Sequence, residues 1–327
     1  MILVTGGAGF IGSNLVAALT ERQSAAVYVC DRMDSAEKRL NLGKHDVAGI
    51  IEPEALLAWL DGEGAATETI FHLGAISATT EQNSETLLDN NVTLPTALWR
   101  WCASHGCRLI YASSAATYGD GAHGFDDDPT PLAMAALEPL NRYGKSKQLF
   151  DLDAVLMANM GCHPPQWVGL KFFNVYGPNE YHKGGQRSVA VQLFEQIKKT
   201  AQVQLFKSHR PDYEDGAQLR DFIWVEDCVA VMLWLYDTPN VSGIFNCGTG
   251  AARSFAELAN ACFKALGHPV NIKYIDTPER LRSHYQYFTE ARMERLRKAG
   301  YDRPFTTLED GVARYIKKYL QTNDPHR

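Results

Sequence analysis

The chain has 327 residues, of which 45% are hydrophobic and 21% are charged, so it has ample apolar material for a folded core. A net charge of -6 and a pI near 5.9 exclude an overall basic surface, and we expect no nucleic-acid partner. Seven scattered cysteines without a C-x-x-C pair indicate reduced thiols rather than a disulfide framework or a metal site. Without a basic leader or an apolar run of about 18 residues, we expect a cytoplasmic protein with no membrane partner.

The beginning of the chain has the pattern strand, glycine turn, helix and strand. Residues 2–5 are apolar and mostly β-branched, residues 13–20 have apolar side chains at helical spacing, and residues 26–30 form a second apolar run. The first turn contains three spaced glycines, Gly6, Gly9 and Gly12. Glycines in this context permit a tight turn and a close approach of a pyrophosphate to the helix N-terminus. We therefore predict a dinucleotide-binding site here.

The residues after the second strand give a mixed indication of which dinucleotide binds. Asp31 ends that strand, where a carboxylate accepts hydrogen bonds from a ribose and favours NAD. Arg32 and Lys38 follow, and both could contact the 2′-phosphate of NADP. From spacing alone these two cations are equally well interpreted as solvated surface charges.

Strands and helices continue to alternate along the first half of the chain. We predict strands at 69–73, 108–113 and 168–173, with helices at 54–60, 84–105 and 147–160. This order predicts the α/β class, with a Rossmann-type doubly wound parallel sheet. Because ligands bind beyond the carboxyl ends of such strands, residues 74–77, 113–118 and 174–178 should line one crevice.

The second half of the chain is less regular and lacks a long linker. Predicted helices at 188–200, 255–266 and 308–320 accompany strands at 203–206 and 272–275. We expect residues 1 to about 178 to form a dinucleotide-binding domain. Residues 179–327 would form mainly a smaller α/β substrate-binding lobe, with some segments returning to the first domain.

Tyr143 and Lys147 are the central candidates for chemistry. They lie four residues apart and would share one helix face, where an ammonium group stabilises a phenolate and permits proton transfer near neutrality. Ser114, at a strand end, could hold a substrate oxygen. Taken alone, the pair could arise by chance and Ser114 is more often a cap.

The glycine turn, Asp31, Ser114, Tyr143 and Lys147, in this order, resemble the extended short-chain dehydrogenase/reductase family. The resemblance implies that Ser114 and Tyr143 bind the substrate oxygen and that Tyr143 transfers its proton. It also implies that Lys147 holds the cofactor ribose and lowers the pKa of Tyr143.

Longer motifs extend the resemblance to one branch of this family, the 6-epimerases that act on ADP-heptoses for the lipopolysaccharide inner core. The motifs occupy residues 71–81, 89–91, 111–119, 173–178, 182–184 and 285–289. This branch implies NADP as the usual cofactor, an ADP-heptose as the substrate, and a homo-oligomer, reported for the branch as pentameric.

The resemblance also implies two sets of contact residues. Cofactor contacts would come from Gly6, Gly9, Phe10, Ile11, Gly12, Asp31, Arg32, Lys38, Leu73, Gly74, Ala75, Ile76, Ser77, Asn90, Tyr143, Lys147 and Val175. Substrate contacts would come from Ser114, Asn174, Lys183, Gly185, Gln192, Phe206, Lys207, Ser208, His209, Arg220 and Tyr285.

Lys183 is a second candidate acid/base. If hydride leaves C6″, the planar ketone must present its other face before the hydride returns, so the oxygen occupies two places. One fixed base cannot serve both. Tyr143 and Lys183 would then serve opposite epimers, and the resemblance assigns the same two groups. The alternative is that Lys183 binds a phosphate or is solvated.

The chain departs from this branch at two positions, since Gly185 replaces a usual serine and Gln192 a common histidine. The loops at 120–131 and 205–220 are also unusually acidic or long. A UDP-hexose 4-epimerase, a 4,6-dehydratase and a non-catalytic NADP(H) sensor are the alternatives. A dehydratase would need an acidic pair where this chain has Ala115 and Ala116, a 4-epimerase would not need Lys183, and a sensor would not need Tyr143.

Overall fold

The computed structural model describes residues 1–282 and 285–327 of the chain. The strands in this part, numbered in chain order, are β1 (Ile2–Thr5), β2 (Val27–Cys30), β3 (Gly49–Ile51), β4 (Thr69–His72), β5 (Arg108–Ser114), β6 (Trp167–Phe172), β7 (Asn174–Tyr176), β8 (Val203–Phe206), β9 (Leu219–Arg220), β10 (Phe222–Trp224), β11 (Gly243–Cys247), β12 (Arg253–Ser254) and β13 (Ile272–Ile275).

Seven of these strands form one parallel sheet in the order β3-β2-β1-β4-β5-β6-β11. The winding reverses between β1 and β4, which makes that junction the switch point where a crevice opens beyond the carboxyl ends of the strands. The predicted doubly wound Rossmann-type sheet is therefore confirmed. The short strand β3 and the last strand β11 were not predicted.

The helices are α1 (Phe10–Arg22), α2 (Ala36–Leu42), α3 (Leu56–Asp61), α4 (Ser84–Leu88), α5 (Leu94–His105), α6 (Pro131–Ala136), α7 (Arg142–Asn159), α8 (Val189–Thr200), α9 (Val225–Asp237), α10 (Phe255–Leu266), α11 (Glu279–Arg282), α12 (Glu294–Lys298) and α13 (Leu308–Tyr315). Short 3₁₀ turns lie at Pro53–Ala55, Ala115–Tyr118 and Tyr181–Gln186. Wider turns at Asp89–Thr93 and Ile316–Leu320 continue α4 into α5 and extend α13.

The helix α7 begins earlier than residue 147, where the sequence interpretation placed its start. The Asn141 side chain accepts a hydrogen bond of 2.8 Å from the Gly144 amide and caps the helix. Tyr143 and Lys147 consequently both lie inside α7, one turn apart, and this early start gives them a common face.

The smaller lobe has its own core, in which α8, α10 and α13 pack around buried aliphatic side chains such as Leu193, Leu258 and Val312. Each fully buried aliphatic side chain of this kind contributes ~1.5–3 kcal/mol. Three two-stranded pairs, β7 with β10, β8 with β13 and β9 with β12, accompany these helices. By contrast, α9 packs on α1, and β11 extends the large sheet beside β6.

In the part of the chain that the structure describes, no helix combines the length and apolar character that crossing a bilayer requires.

Candidate active site

The glycine turn after β1 is shaped for an anion. Gly6 has φ +66°, and a Cβ there would lie 2.6 Å from the Gly74 amide nitrogen. A Cβ on Gly12 would lie 2.1 Å from the Gly6 carbonyl oxygen. The helix α1 starts at Phe10 without a side-chain cap at Gly9, so its first amides remain available. A close backbone and an uncapped helix N-terminus fit a dinucleotide pyrophosphate.

At the end of β2, the predicted cofactor residues are linked to one another. One Asp31 carboxylate oxygen accepts a 2.9 Å hydrogen bond from the Ala8 amide, and the other accepts one of 3.1 Å from Lys38. Arg32 pairs instead with Glu54. The structure therefore brings Asp31 and Lys38 beside the glycine turn, while Arg32 points toward α3.

The segment after β4 is held by a residue that the sequence analysis did not select. Asn91 accepts a 3.0 Å hydrogen bond from the Ile76 amide, and its own amide donates to the Ile76 carbonyl at 2.9 Å and to Ser146 at 3.0 Å. Its neighbour Asn90, the predicted cofactor contact, donates to the Thr86 carbonyl. The sequence marks this segment only by its Asp-Asn-Asn run at residues 89–91. The structure shows that Asn91 is the buried residue of the three.

Lys147 is bonded to the strand that carries Ser114. Its ammonium donates a hydrogen bond of 2.9 Å to the Ala112 carbonyl, and the side chain is almost fully buried. Burial lowers the pKa of Lys147 to about 8, although the charge of Asp151 opposes this. The helix face shared by Tyr143 and Lys147 thus points toward β5.

Ser114 and Tyr143 meet at the end of β5. Burial raises the pKa of Tyr143, and the nearby Ser114 hydroxyl partly offsets this shift. Ser114 also accepts a 3.1 Å hydrogen bond from the Ala116 amide and caps the following turn. Ser114 therefore acts as a cap, and its hydroxyl also lies near Tyr143.

Lys183 lies in the turn Tyr181–Gln186, beside the glycine turn. Its ammonium is 5.5 Å from the centre of the Phe10 ring, and burial lowers its pKa while Glu180 raises it. Glu180 is itself buried and accepts hydrogen bonds from Ser188 Oγ at 2.7 Å and from Tyr315 at 2.9 Å. A buried carboxylate thus anchors the turn, and Lys183 lies next to the start of α1.

The other residues predicted near Lys183 are more peripheral. Gly185 is exposed, and Gln192 on α8 donates a 2.8 Å hydrogen bond to the Arg187 carbonyl. Asn174 is exposed on β7, and Val175 packs partly against the main core. Gly185 and Gln192 therefore make no contact with Lys183 that the structure records.

The smaller lobe contains a cavity of about 340 Å³ at the predicted nucleotide contacts. Its lining includes His209, Arg210, Tyr213, Tyr285 and Tyr287. The rings pack against one another at an angle: the centroids of His209 and Tyr285 are 6.1 Å apart in an edge-to-face contact, and those of Tyr213 and Tyr287 are 4.8 Å apart in a tilted one. A larger cavity of about 430 Å³ opens at the amino end of the sheet, away from these groups.

Arg220 provides a buried cation behind this aromatic cavity. It donates to the carbonyls of Leu219 at 2.8 Å and Gln286 at 2.5 Å and lies 5.7 Å from the Tyr285 ring centre. Burial lowers its pKa, and the ion pairs found in the described residues do not include it. Lys207, by contrast, pairs with Asp276 at 3.0 Å.

Tyr287 was missed by the sequence analysis, although Tyr285 was selected. Two residues apart in an extended segment, the two side chains fall on one side. The Tyr287 hydroxyl accepts a 2.8 Å hydrogen bond from the His209 amide and lies 3.2 Å from Ser208 Oγ. It thereby holds the predicted contacts Ser208 and His209 in place, with Phe206 packed beside Tyr285.

A glycine turn at a sheet switch point, with Ser114 at the end of β5 and with Tyr143 and Lys147 on α7, is typical of dinucleotide-dependent enzymes that act on carbonyl and hydroxyl groups. Residues 2–248 match the model of the NAD dependent epimerase/dehydratase family, and the chain belongs to this family.

Within it, the chain is similar to proteins named ADP-L-glycero-D-manno-heptose-6-epimerase. The one from Nitratidesulfovibrio vulgaris strain Hildenborough is 47% identical over 328 residues, and the one from Fusobacterium nucleatum is 43% identical over 334 residues. Both matches cover 100% of each chain. The resemblance inferred from the sequence is thus confirmed, and these relatives support an enzyme that acts as an epimerase on a nucleotide sugar.

Solved structures agree with this assignment. The crystal structure of the Helicobacter pylori ADP-L-glycero-D-manno-heptose-6-epimerase is 29% identical with a TM-score of 0.78, and the match covers 97% of this chain and 95% of that one. MoeE5 in complex with UDP-glucuronic acid and NAD is 27% identical with a TM-score of 0.70, over 95% and 96% of the two chains.

Proposed function

We propose that this protein converts ADP-D-glycero-β-D-manno-heptose to ADP-L-glycero-β-D-manno-heptose, with NADP as its bound cofactor. The proposal places the enzyme in the supply of heptose for the lipopolysaccharide inner core. The observation that carries it is the position of Tyr143 and Lys147 on one face of α7, with Lys147 bonded to the strand that ends at Ser114, in a chain that matches the heptose epimerases from end to end.

Tyr143 is the proposed acid/base for one epimer. Ser114 lies near the phenol, so the two hydroxyls can hold the substrate O6″ between them. Lys147 supplies positive charge from the same helix face and favours the phenolate when the proton must be accepted. With burial working against that phenolate, the charge on Lys147 becomes the decisive contribution.

Lys183 is the proposed acid/base for the other epimer. Inversion at one carbon requires the oxygen to occupy two positions, which a single rigid phenol cannot reach. Lys183 is half-buried, and its lowered pKa brings proton exchange closer to neutrality. Its position over Phe10 also suits a phosphate-binding lysine, so the two roles need separate tests.

The cofactor would be held by the glycine turn, by the segment Leu73–Ser77 and by Lys147. When bound, it would accept a hydride from C6″ and return it to the same carbon. Asp31 and Lys38 lie at the ribose end, and we propose that Lys38 and Arg32 bind a 2′-phosphate.

The ADP moiety is assigned to the aromatic cavity of the smaller lobe. Arg220, a buried guanidinium without a carboxylate partner among the described residues, is suited to a diphosphate. His209, Tyr285 and Tyr287 offer ring faces for stacking against a base. We further expect a cytoplasmic homo-oligomer, and light scattering of the purified protein would test a pentamer.

The experiment that tests this function is incubation of the purified protein with ADP-D-glycero-D-manno-heptose and resolution of the C6″ epimers by NMR. We expect both epimers at equilibrium without consumption of added NADPH, because the hydride returns to the sugar. Stoichiometric cofactor oxidation, loss of water or inversion at C4″ would each contradict the proposal.

A further inference from the structure

A buried carboxylate lies on α7 behind the Tyr143–Lys147 pair. Asp151 follows Lys147 by four residues and is 1% exposed. It accepts three hydrogen bonds, from the Tyr111 hydroxyl at 3.1 Å, from Ser113 Oγ at 2.6 Å and from the Lys171 ammonium at 2.6 Å. The donors come from β5 and β6, so Asp151 fastens α7 to both strands.

Lys171 continues this network to the main chain of Ser114. Its ammonium also donates to Thr117 Oγ1 at 2.8 Å, and the Thr117 hydroxyl donates to the Ser114 carbonyl at 2.9 Å. The hydrogen bonds therefore run from Asp151 through Lys171 and Thr117 to Ser114. The network connects the helix that carries Tyr143 to the strand end that carries its partner.

Stability alone does not account for such an ion pair. Replacing a buried pair by apolar residues is often neutral or stabilising, whereas removing one member alone is strongly destabilising. The Asp151–Lys171 pair is buried, and its other hydrogen-bond partners, Tyr111, Ser113 and Thr117, lie on β5 and in the turn that follows it. Its geometry instead fits a role in the site.

We propose that Asp151 and Lys171 are positioning residues for epimerisation: the pair fixes Ser114 relative to Tyr143 and sets the electric field at Lys147. The proposal rests on the proposed function, in which Ser114, Tyr143 and Lys147 carry out the chemistry. The Asp151 carboxylate supplies negative charge near Lys147, and the Lys171 ammonium partly offsets that charge. Through its hydrogen bond to Thr117, Lys171 also holds the main chain of Ser114 in position.

The other titratable groups around Lys147 and Asp151 allow the titration of Lys147 to be followed separately near pH 8. They are His72 on β4, Tyr111 on β5, Tyr118 in the following turn, Tyr143 on α7 and Lys171 on β6. Burial lowers the pKa of His72 to about 3, and burial raises the pKa of both Tyr111 and Tyr118 far above 10. Around pH 8, Lys147 is therefore the group expected to change its charge.

The test compares Asp151→Asn with the double variant Asp151→Asn/Lys171→Met. Removing only the carboxylate leaves Lys171 without its counter-ion, so the titration midpoint of Lys147 should fall by about one pH unit, a tenfold change in its ratio of protonated to neutral form. Removing both charges should return the midpoint toward that of the wild type. The midpoint is read from the ¹³Cε resonance of labelled lysine in the holoenzyme, assigned with Lys147→Arg, and from the pH profile of kcat.

A purely structural role predicts a different result. Identical midpoints in the three proteins, or a double variant at or below Asp151→Asn, would overturn the proposal. Asp227→Asn is the matched control, since Asp227 accepts two hydrogen bonds from Thr306 but lies on α9, and it should leave the Lys147 midpoint unchanged. The lysine titration needs no substrate, so it stands even if the proposed reaction fails.

Milder variants cover the case in which Asp151→Asn does not fold. Thr117→Val breaks the connection to Ser114 without changing a charge, and we expect kcat to fall about tenfold with KM unchanged. Thr117→Ser keeps the hydroxyl and should restore kcat. Equal losses in both variants, or a change confined to KM, would contradict the alignment role.

Discussion

The Lys147 ammonium donates a 2.9 Å hydrogen bond to the Ala112 carbonyl, two residues before Ser114 on the same strand. This bond holds the Lys147 ammonium against the strand that ends at Ser114, close to Tyr143 on the same helix face. The Ala112 carbonyl is part of the strand backbone, so its hydrogen bond fixes the position of the Lys147 ammonium. We therefore expect the protonation of Tyr143 to respond to the charge state of Lys147.

Activity should decline above about pH 8. The pKa of Lys147 is depressed from its ordinary value of 10.5 to about 8, so the ammonium is lost as the pH rises through that value. Above it, kcat/KM should fall about tenfold per pH unit. Lys147→Arg keeps its charge throughout, so this decline should disappear from its profile between pH 6 and 10, even if its maximal rate is lower. An unchanged decline in Lys147→Arg would assign it to another group.

Tyr143→Phe and Lys183→Met should each reduce epimerisation by about 10²–10⁴-fold, because each removes one of two proton-transfer groups. Cofactor binding should persist in both variants. Lys145→Met is the matched control, since Lys145 is an exposed lysine on α7 that donates to Gln148. Near-normal turnover by both single variants would show that the assignment of two bases is wrong. Loss of cofactor affinity in Lys183→Met would indicate the phosphate-binding role.

The sequence was sufficient for those features that depend on neighbouring residues. The turn at Gly6, Gly9 and Gly12 could be predicted because a side chain at each position would crowd nearby backbone. The structure gives Gly6 a positive φ. Tyr143 and Lys147 share a face because the helical period alone requires it.

Features that depend on distant partners could not be predicted in the same way. The strand β11 (Gly243–Cys247) is five residues long, and its place beside β6 follows from tertiary packing. Asp151 and Lys171 lie on different elements, and nothing in their local patterns predicts an ion pair. Arg32 was predicted to be near a phosphate, but its pairing with Glu54 is visible only in the structure.

Arg32 and Lys38 should favour NADP over NAD. Lys38 also pairs with Asp34, and the Arg32–Glu54 pair is solvent-exposed, so exchanging these partners for a 2′-phosphate costs little free energy. Replacing both cations by alanine should raise the Kd for NADP about tenfold or more and change that for NAD little. Lys44→Ala serves as a control cation. Equal weakening for both cofactors would contradict a 2′-phosphate contact.

Asp127 should make the folding stability depend on pH. It is 3% exposed and accepts a 2.8 Å hydrogen bond from the Asn246 amide, and burial raises its pKa from 3.8 to about 6. The folded state therefore holds this proton more tightly than the unfolded state. The contribution of Asp127 to the free energy of unfolding is fully present below about pH 4 and is lost as the pH rises through 6.

Between pH 4 and 7, Asp127 should lower the wild-type free energy of unfolding by about 1–3 kcal/mol, and this decrease should be absent from Asp127→Asn. Urea unfolding at several pH values measures the difference, and Asp128→Asn, at an exposed neighbouring position, should keep the wild-type slope. If Asp127→Asn keeps that slope too, then Asp127 is not the titrating group.

The most direct test of the reaction is to follow a substrate deuterated at C6″ in ordinary water and to analyse the product by NMR and mass spectrometry. If hydride leaves C6″ and returns to the opposite face of the same carbon, the L-glycero product retains its deuterium. Replacement of that deuterium by solvent hydrogen would contradict the proposed chemistry.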